Sequence, residues 1–112
     1  MKPRDEAIYL HHVLDAIAKI EEYLTNYDEN DFHKTSLVQD GVIRQLMIIG
    51  EAIKQLSPDF RQQHPQVPWK DIAGMRDKLV HDYLGVDLDE VWLTTQDDLP
   101  NLKSDVTNML DE

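Results

Sequence analysis

The sequence predicts an all-α protein, an antiparallel up-down bundle of four helices whose C-terminal helix is kinked. Apolar residues recur at spacings of three and four along four segments of the chain, which is the pattern of amphipathic helices. No segment shows the alternation of apolar and polar residues that is typical of a strand. The chain has 112 residues, 41% of them hydrophobic, which is enough for one core. We therefore expect a single domain over residues 1–112.

The first two predicted helices differ in how widely apolar residues cover their surfaces. A narrow apolar stripe extends from about Arg4 to Tyr27, and a polar, acidic cluster then interrupts the pattern. The second helix begins near Ser36, where Ser36 and Gln39 have the spacing of a capping box, and ends before Pro58. Its apolar residues cover a broad surface, so we expect it to be the most buried helix.

The second half of the chain is divided by proline and glycine. Three prolines within residues 58–68 predict a loop, because proline removes a backbone donor and fixes φ. The third helix begins at residues 69–70 and ends near Leu84, where Gly85 can adopt the left-handed conformation that commonly terminates a helix. In the last segment the apolar spacing keeps its phase across Pro100. A proline inside a helix costs about 3 kcal/mol and kinks the axis, so we expect one kinked helix, with two collinear helices as the alternative.

The composition excludes several classes of protein. The absence of cysteine excludes a disulfide framework and thiolate metal sites. No apolar run reaches the ~20 residues that span a bilayer and no signal peptide is visible, so we expect a cytoplasmic protein without a membrane partner. The net charge of −11 argues against a general nucleic-acid coat. However, residues 41–81 carry six basic against four acidic side chains, so one face could accept a phosphate backbone.

One cation and one acid stand among apolar residues. Arg76 lies on the apolar face of the third helix, where a guanidinium needs a partner. Glu51 lies in the apolar run of the second helix, and a bridge from it to Arg76 or Arg44 is a purely structural explanation. Gly50 costs about 1 kcal/mol against alanine in a helix, which indicates a close contact between helices.

The third helix also carries a motif, Arg76-x-x-x-x-His81-x-Tyr83. On an ideal helix His81 points about 140° away from Arg76, whereas Tyr83 returns to within about 20° of it. The motif resembles that of the HEPN superfamily, specifically the HepT-like toxins that pair with a small nucleotidyltransferase antitoxin of the MNT type. The resemblance covers nearly the whole chain, through Arg44, Ile49-Gly50-Glu51-Ala52, His64-Pro65-x-Val67-Pro68-Trp69, Gly74-Met75-Arg76, His81-Asp82-Tyr83, Val91-Trp92 and Asp98-Leu99-Pro100.

The resemblance implies a homodimeric toxin that is a metal-independent endoribonuclease without a cofactor. Its substrate would be RNA, and its partner antitoxin would silence it by transferring AMP to Tyr83. Within the motif, Arg76 and His81 would be catalytic. The residues that would position the substrate are Tyr83, Lys78 and Asp77, and those that would support the site are Glu51 and Arg44.

The chemistry of these side chains fits RNA cleavage through the 2′-hydroxyl. Such cleavage needs only proton transfer and charge stabilisation from the protein. An imidazole suits the first task and a guanidinium the second. One motif histidine cannot easily be both base and acid, so we expect a composite site in a symmetric dimer, with products ending in 2′,3′-cyclic phosphate.

Two other interpretations stay open. A non-catalytic helical dimer that binds nucleotide or a partner protein would equally explain an Arg76–Glu51 ion pair, and the acidic composition favours it. His11 and Asp15 have a spacing that can hold a metal, but we expect no metal site there. His33 and His64 are expected to be solvated in loops.

Overall fold

The computed structural model describes residues 3–81 and 85–112, and within these ranges it is helical and contains no strand. The predicted all-α class is therefore confirmed. A short π-helical turn, Thr94–Asp98, joins the last two helices. The helices are α1 Pro3–Tyr23, α2 Glu29–Lys34, α3 Ser36–Gln55, α4 Pro58–Gln63, α5 Trp69–His81, α6 Leu88–Leu93 and α7 Leu99–Leu110.

Helix α3 lies at the centre of the packing. It packs along α1 on one side and along α5 on the other, while α7 packs against α1. The broad apolar surface predicted for this helix explains its position, because both neighbours need an apolar face to pack against. Four of its side chains are fully buried, namely Val42, Leu46, Ile49 and Ile53.

The first helix ends earlier than predicted. It stops at Tyr23 instead of Tyr27, and Asn26 adopts a left-handed conformation with φ of 64°. Asparagine tolerates this conformation better than most residues, so the chain reverses here in spite of the continuing apolar spacing.

Two short helices occupy segments that were expected to be irregular. Helix α2 forms because the Asp28 carboxylate accepts a hydrogen bond from the Asp31 backbone N–H (2.8 Å), and Asp31 accepts one from Asp28 in return (3.1 Å). Helix α4 begins at Pro58, where the missing N–H costs nothing, and Ser57 Oγ accepts a hydrogen bond from the Phe60 N–H. The prediction of a continuous loop over residues 58–68 was therefore wrong.

The predicted capping box at Ser36 was also wrong, although the helix begins there. Its N-cap is Thr35, which makes no side-chain capping bond. Gln39 instead donates a hydrogen bond from Nε2 to the Phe32 carbonyl oxygen (2.8 Å), and this contact ties the start of α3 to the end of α2.

A π-helical turn directly precedes Pro100. The Leu99 N–H bonds to the Thr94 carbonyl oxygen, five residues back, and the backbone at both ends of the turn keeps right-handed helical dihedrals. Such a turn is a common way to interrupt a helix where the regular hydrogen-bond ladder fails. The apolar stripe retains its phase, with Leu99, Leu102, Val106 and Met109 all buried.

The region around the end of α5 is described only in part. This helix begins at Trp69, as predicted, and is described as far as His81. Its predicted end near Leu84 lies outside the described residues. Among the helices that the structure describes, none is long and apolar enough to cross a membrane.

Candidate active site

Helices α3 and α5 approach each other closely at Gly50. A Cβ atom placed on Gly50 would lie 2.2 Å from Arg76 Cβ and 2.9 Å from Arg76 Cγ, far inside van der Waals contact. The predicted packing reason for this glycine is therefore confirmed. Because the Arg76 side chain starts directly over Gly50, the close crossing of the two helices fixes where the guanidinium lies.

The guanidinium of Arg76 is paired with a carboxylate on each helix. Its Nε lies 3.3 Å from Glu51 Oε2 on α3, and its Nη1 donates a hydrogen bond to Asp77 Oδ1 on α5 (3.2 Å). The structure thus selects Arg76 as the partner of Glu51. The Glu51 side chain is half exposed, so solvent screens this ion pair. Glu51 is therefore not a buried charge that needs Arg76 as its partner.

Lys54 also belongs to the cluster of charged side chains formed by Arg76, Glu51 and Asp77, which we call the Arg76 cluster. The sequence analysis did not predict it. Its Nζ donates a hydrogen bond to Asp77 Oδ1 (2.7 Å), one turn beyond Glu51 on α3. This hydrogen bond, together with the one from Arg76, holds the pKa of Asp77 below its ordinary value. The spacing of three residues from Glu51 places Lys54 on the same side of α3, and that was the available signal.

Arg44 lies beside the same cluster. A small open cavity of about 200 Å³ is lined by Arg44, Met47, Ile48, Glu51 and Arg76. Arg44 is exposed, so α3 presents a second cation beside the paired guanidinium of Arg76. The apolar side chains of Met47 and Ile48 line the cavity with them. Four of the predicted site residues, namely Arg44, Glu51, Arg76 and Asp77, are brought together in one place.

Lys78 lies elsewhere. Two residues after Arg76, it points about 160° away on an ideal helix, and its Nζ lies 3.4 Å from Glu90 Oε2 on α6. It lines a second, larger cavity of about 800 Å³ between α5 and the α6–α7 region. Within one chain, the structure does not bring Lys78 to the Arg76 cluster. Lys78 could position a substrate only if that substrate also reached the opposite side of α5.

The two remaining motif residues stand at the end of α5. His81 is exposed at the last described position of the helix. Tyr83, predicted both to position substrate and to accept AMP, lies outside the described residues.

Of the two histidines expected to be solvated in loops, His33 is exposed as expected but lies on a helix, whereas His64 is not solvated. His64 is buried: its Nδ1 bonds to the Phe60 carbonyl oxygen (3.0 Å) and its Nε2 to the Glu112 carboxylate (3.1 Å). Burial alone lowers the pKa of His64, but these hydrogen bonds outweigh it and raise the pKa above 6.5. His33 lies on α2 between two carboxylates.

Comparison with known proteins decides the family. The family model described as "Ribonuclease HepT-like" matches residues 13–109, which is most of the chain. The chain belongs to the HepT-like ribonuclease family. The family expected from the motif is therefore confirmed, and so is the expectation of an enzyme of the ribonuclease class.

Named relatives of this HepT-like chain agree with the assignment. "Probable ribonuclease HepT" of Thermococcus cleftensis is 44% identical over 89% of this chain and 91% of its own length. A "Putative RNase" of Caldanaerobacter subterraneus is 41% identical over 91% of each chain. A Methanocaldococcus jannaschii protein named "Gamma-glutamylcyclotransferase and putative RNase" is 44% identical over 97% of this chain, which spans only 49% of that longer protein. No solved structure gave a significant match.

Proposed function

We propose that this chain is the toxin of a toxin–antitoxin pair and an endoribonuclease that cleaves RNA without a metal ion. The observation that supports the proposal best is the position of Arg76. The Gly50 crossing fixes its backbone, two carboxylates orient its guanidinium, and the side chain is still 28% exposed. A forked cation held in this way suits a phosphate that gains charge during the reaction.

The ion pairs of Arg76 leave room for a substrate. They engage Nε and Nη1, and a guanidinium carries five N–H donors in total, so hydrogen-bonding capacity is left for phosphate oxygens. Arg44 and Lys54 add positive charge on the same side of α3. This local charge offsets the repulsion expected from the acidic remainder of the chain.

In the proposed reaction the ribose 2′-hydroxyl attacks the adjacent phosphorus and the 5′-oxygen leaves, which gives a 2′,3′-cyclic phosphate. In the proposed dimer the His81 imidazole of one copy takes the proton of the 2′-hydroxyl, the His81 imidazole of the other copy gives a proton to the leaving 5′-oxygen, and Arg76 stabilises the anionic phosphorane. On one α5 helix the His81 and Arg76 side chains point about 140° apart. In a symmetric dimer whose two α5 helices face a shared cleft, Arg76 of one copy would lie opposite His81 of the other. We therefore propose a homodimer as the active form.

Regulation in this proposal acts on Tyr83. A nucleotidyltransferase of the MNT type would transfer AMP from ATP to its hydroxyl, with pyrophosphate leaving and the phenol proton lost, and this adds a negative phosphate and a bulky adenosine at the cleft. Both would exclude an RNA phosphate, by charge and by volume. Mass spectrometry of the chain after co-expression with such an enzyme should show the mass of AMP on the Tyr83 peptide, and Tyr83→Phe should abolish it.

Cleavage of a labelled RNA in the presence of EDTA tests the catalytic part. Arg76→Ala and His81→Ala should each remove cleavage, while Lys70→Ala, which removes an exposed cation from the same helix, should not. Product ends should carry cyclic phosphate. Wild-type cleavage by the Arg76 and His81 variants, or loss of activity on chelation, would contradict the mechanism.

A non-catalytic dimer that binds nucleotide or a partner protein is the second candidate, and the net charge of −11 favours it. Under that hypothesis the Arg76–Glu51 pair is structural, the wild-type chain cleaves no RNA, and His81→Ala should leave binding of the partner unchanged. The same comparison of variants therefore separates the two candidates.

The proposed domain is residues 1–112 as one HepT-like unit, with the long helices as an antiparallel up-down bundle kinked near Pro100. The packing of α3 between α1 and α5, and of α7 against α1, supports this arrangement.

A further inference from the structure

Three side chains that can bind a metal ion converge where α2 meets α6. His33 Nε2 lies 2.9 Å from Asp89 Oδ1 and 3.6 Å from Glu29 Oε2. One ligand atom from each of the three residues lies within 4.8 Å of the other two. Glu29 and His33 are one helical turn apart on α2, and Asp89 comes from the first turn of α6, 56 residues later in the chain.

These separations fit a small divalent transition-metal ion. Zinc binds imidazole nitrogen at about 2.0–2.1 Å and carboxylate oxygen at about 2.0–2.2 Å. In a tetrahedron with such bonds, neighbouring ligand atoms are about 3.3 Å apart. The two distances from His33 Nε2 lie on either side of this value, so small rotations of the exposed carboxylates would complete three corners and leave the fourth for water.

The helices that carry these ligands are held in place without an ion. Phe32, next to His33, is fully buried and packs against Trp92 of α6 with ring centroids 5.5 Å apart. Asp87 caps α6 by accepting hydrogen bonds from the N–H groups of Asp89 and Glu90. The three candidate ligands therefore lie on two helices that are already packed together. The chain loses less conformational entropy when such preorganised side chains bind an ion.

We propose that Glu29, His33 and Asp89 bind one divalent transition-metal ion of the zinc type and that the bound ion links α2 to α6. The negative net charge of the chain favours cation binding at this surface. The site contains none of the residues proposed for RNA cleavage, so the two proposals stand or fall separately.

Calorimetric titration of the tag-free, metal-free full chain with ZnCl₂ tests the site. We expect one zinc per chain, and the isosteric changes Asp89→Asn and Glu29→Gln, as well as His33→Ala, should each weaken binding by about tenfold or more. Because the isosteric variants keep the shape of the side chain, they give an answer even if His33→Ala unfolds. His11→Ala, which removes an exposed histidine from α1, is the matched control and should bind like the wild type.

A second measurement follows the linkage between the helices. Zinc should raise the melting temperature of the wild type and leave that of Asp89→Asn unchanged, because only the native state joins both helices at the ion. Equal zinc affinity in the wild type and the three ligand variants would overturn the proposal. So would the absence of zinc binding by the wild type, which would leave these residues as an ion-pair cluster only.

Discussion

Replacing Gly50 by alanine tests whether the close crossing of α3 and α5 sets the position of Arg76. The added Cβ would meet Arg76 Cβ at 2.2 Å, whereas ordinary contact begins at 3.4 Å. Arg76 Cβ is fixed to its backbone, so no change of rotamer relieves the contact. Helix α5 must move by about 1 Å or more relative to α3.

The expected loss of stability follows from two opposing contributions. Overpacking of this kind costs about 1–3 kcal/mol, while alanine in a helix is favoured over glycine by about 1 kcal/mol. Gly74 provides the matched control, since it lies in α5 and a Cβ added there would meet nothing within 4 Å. Gly74→Ala gains the same helix propensity without the clash, so the difference between the two variants is the steric cost, about 1–3 kcal/mol.

Urea unfolding followed by circular dichroism measures both variants, and the RNA cleavage assay measures the consequence at the site. A displacement of about 1 Å at a catalytic group costs about 100-fold in rate. We therefore expect Gly50→Ala to lose most of the activity even where it is folded, and Gly74→Ala to retain it. If Gly50→Ala matched Gly74→Ala in both stability and activity, the claim that this crossing positions Arg76 would be refuted.

Three further predictions concern the Lys54–Asp77 ion pair, the buried His64 and the buried indole of Trp69. Lys54→Met should raise the pKa of Asp77 toward its ordinary value, because the hydrogen bond from Lys54 is the main cause of its lowering; NMR titration of the carboxyl carbon measures this, and an unchanged pKa would contradict it. His64 has a raised pKa in the folded state, so its stabilising contribution is fully present below about pH 6.5 and is lost as the pH rises through the folded value. Glu112→Gln should therefore reduce the free energy of unfolding near pH 5.5 more than at pH 8.5, and an equal reduction at both would count against the pair. Trp69→Phe removes the Nε1 hydrogen bonds to the Arg61 and His64 carbonyl oxygens and should lower the free energy of unfolding in urea by about 1–3 kcal/mol. An unchanged free energy of unfolding would contradict this prediction.

The spacing of residues was sufficient for the features that depend on local sequence. The apolar periodicity predicted the all-helical class. The Ser36–Gln39 spacing placed the start of α3 correctly although the capping box itself does not form, and the end of the proline-containing segment placed the start of α5 at residues 69–70. The low helix propensity of glycine placed Gly50 at a helix contact, and the apolar run around Glu51 left that residue with two candidate partners. Helices α2 and α4 were missed because the polar cluster at Asp28 and the Ser57–Pro58 pair were interpreted only as interruptions of the preceding helices. Aspartate and serine are also preferred N-cap residues and proline a preferred N1 residue, and here they begin the next helices.

Contacts between distant residues required the tertiary structure. Periodicity shows which side of a helix faces the core, but it does not show which helix lies opposite. Packing alone decided that Glu51 pairs with Arg76, that Glu90 is the partner of Lys78, and that His64 is buried. The meeting of His33 with Asp89 follows from the same packing, since the buried ring pair between α2 and α6 brings together segments that no local pattern connects.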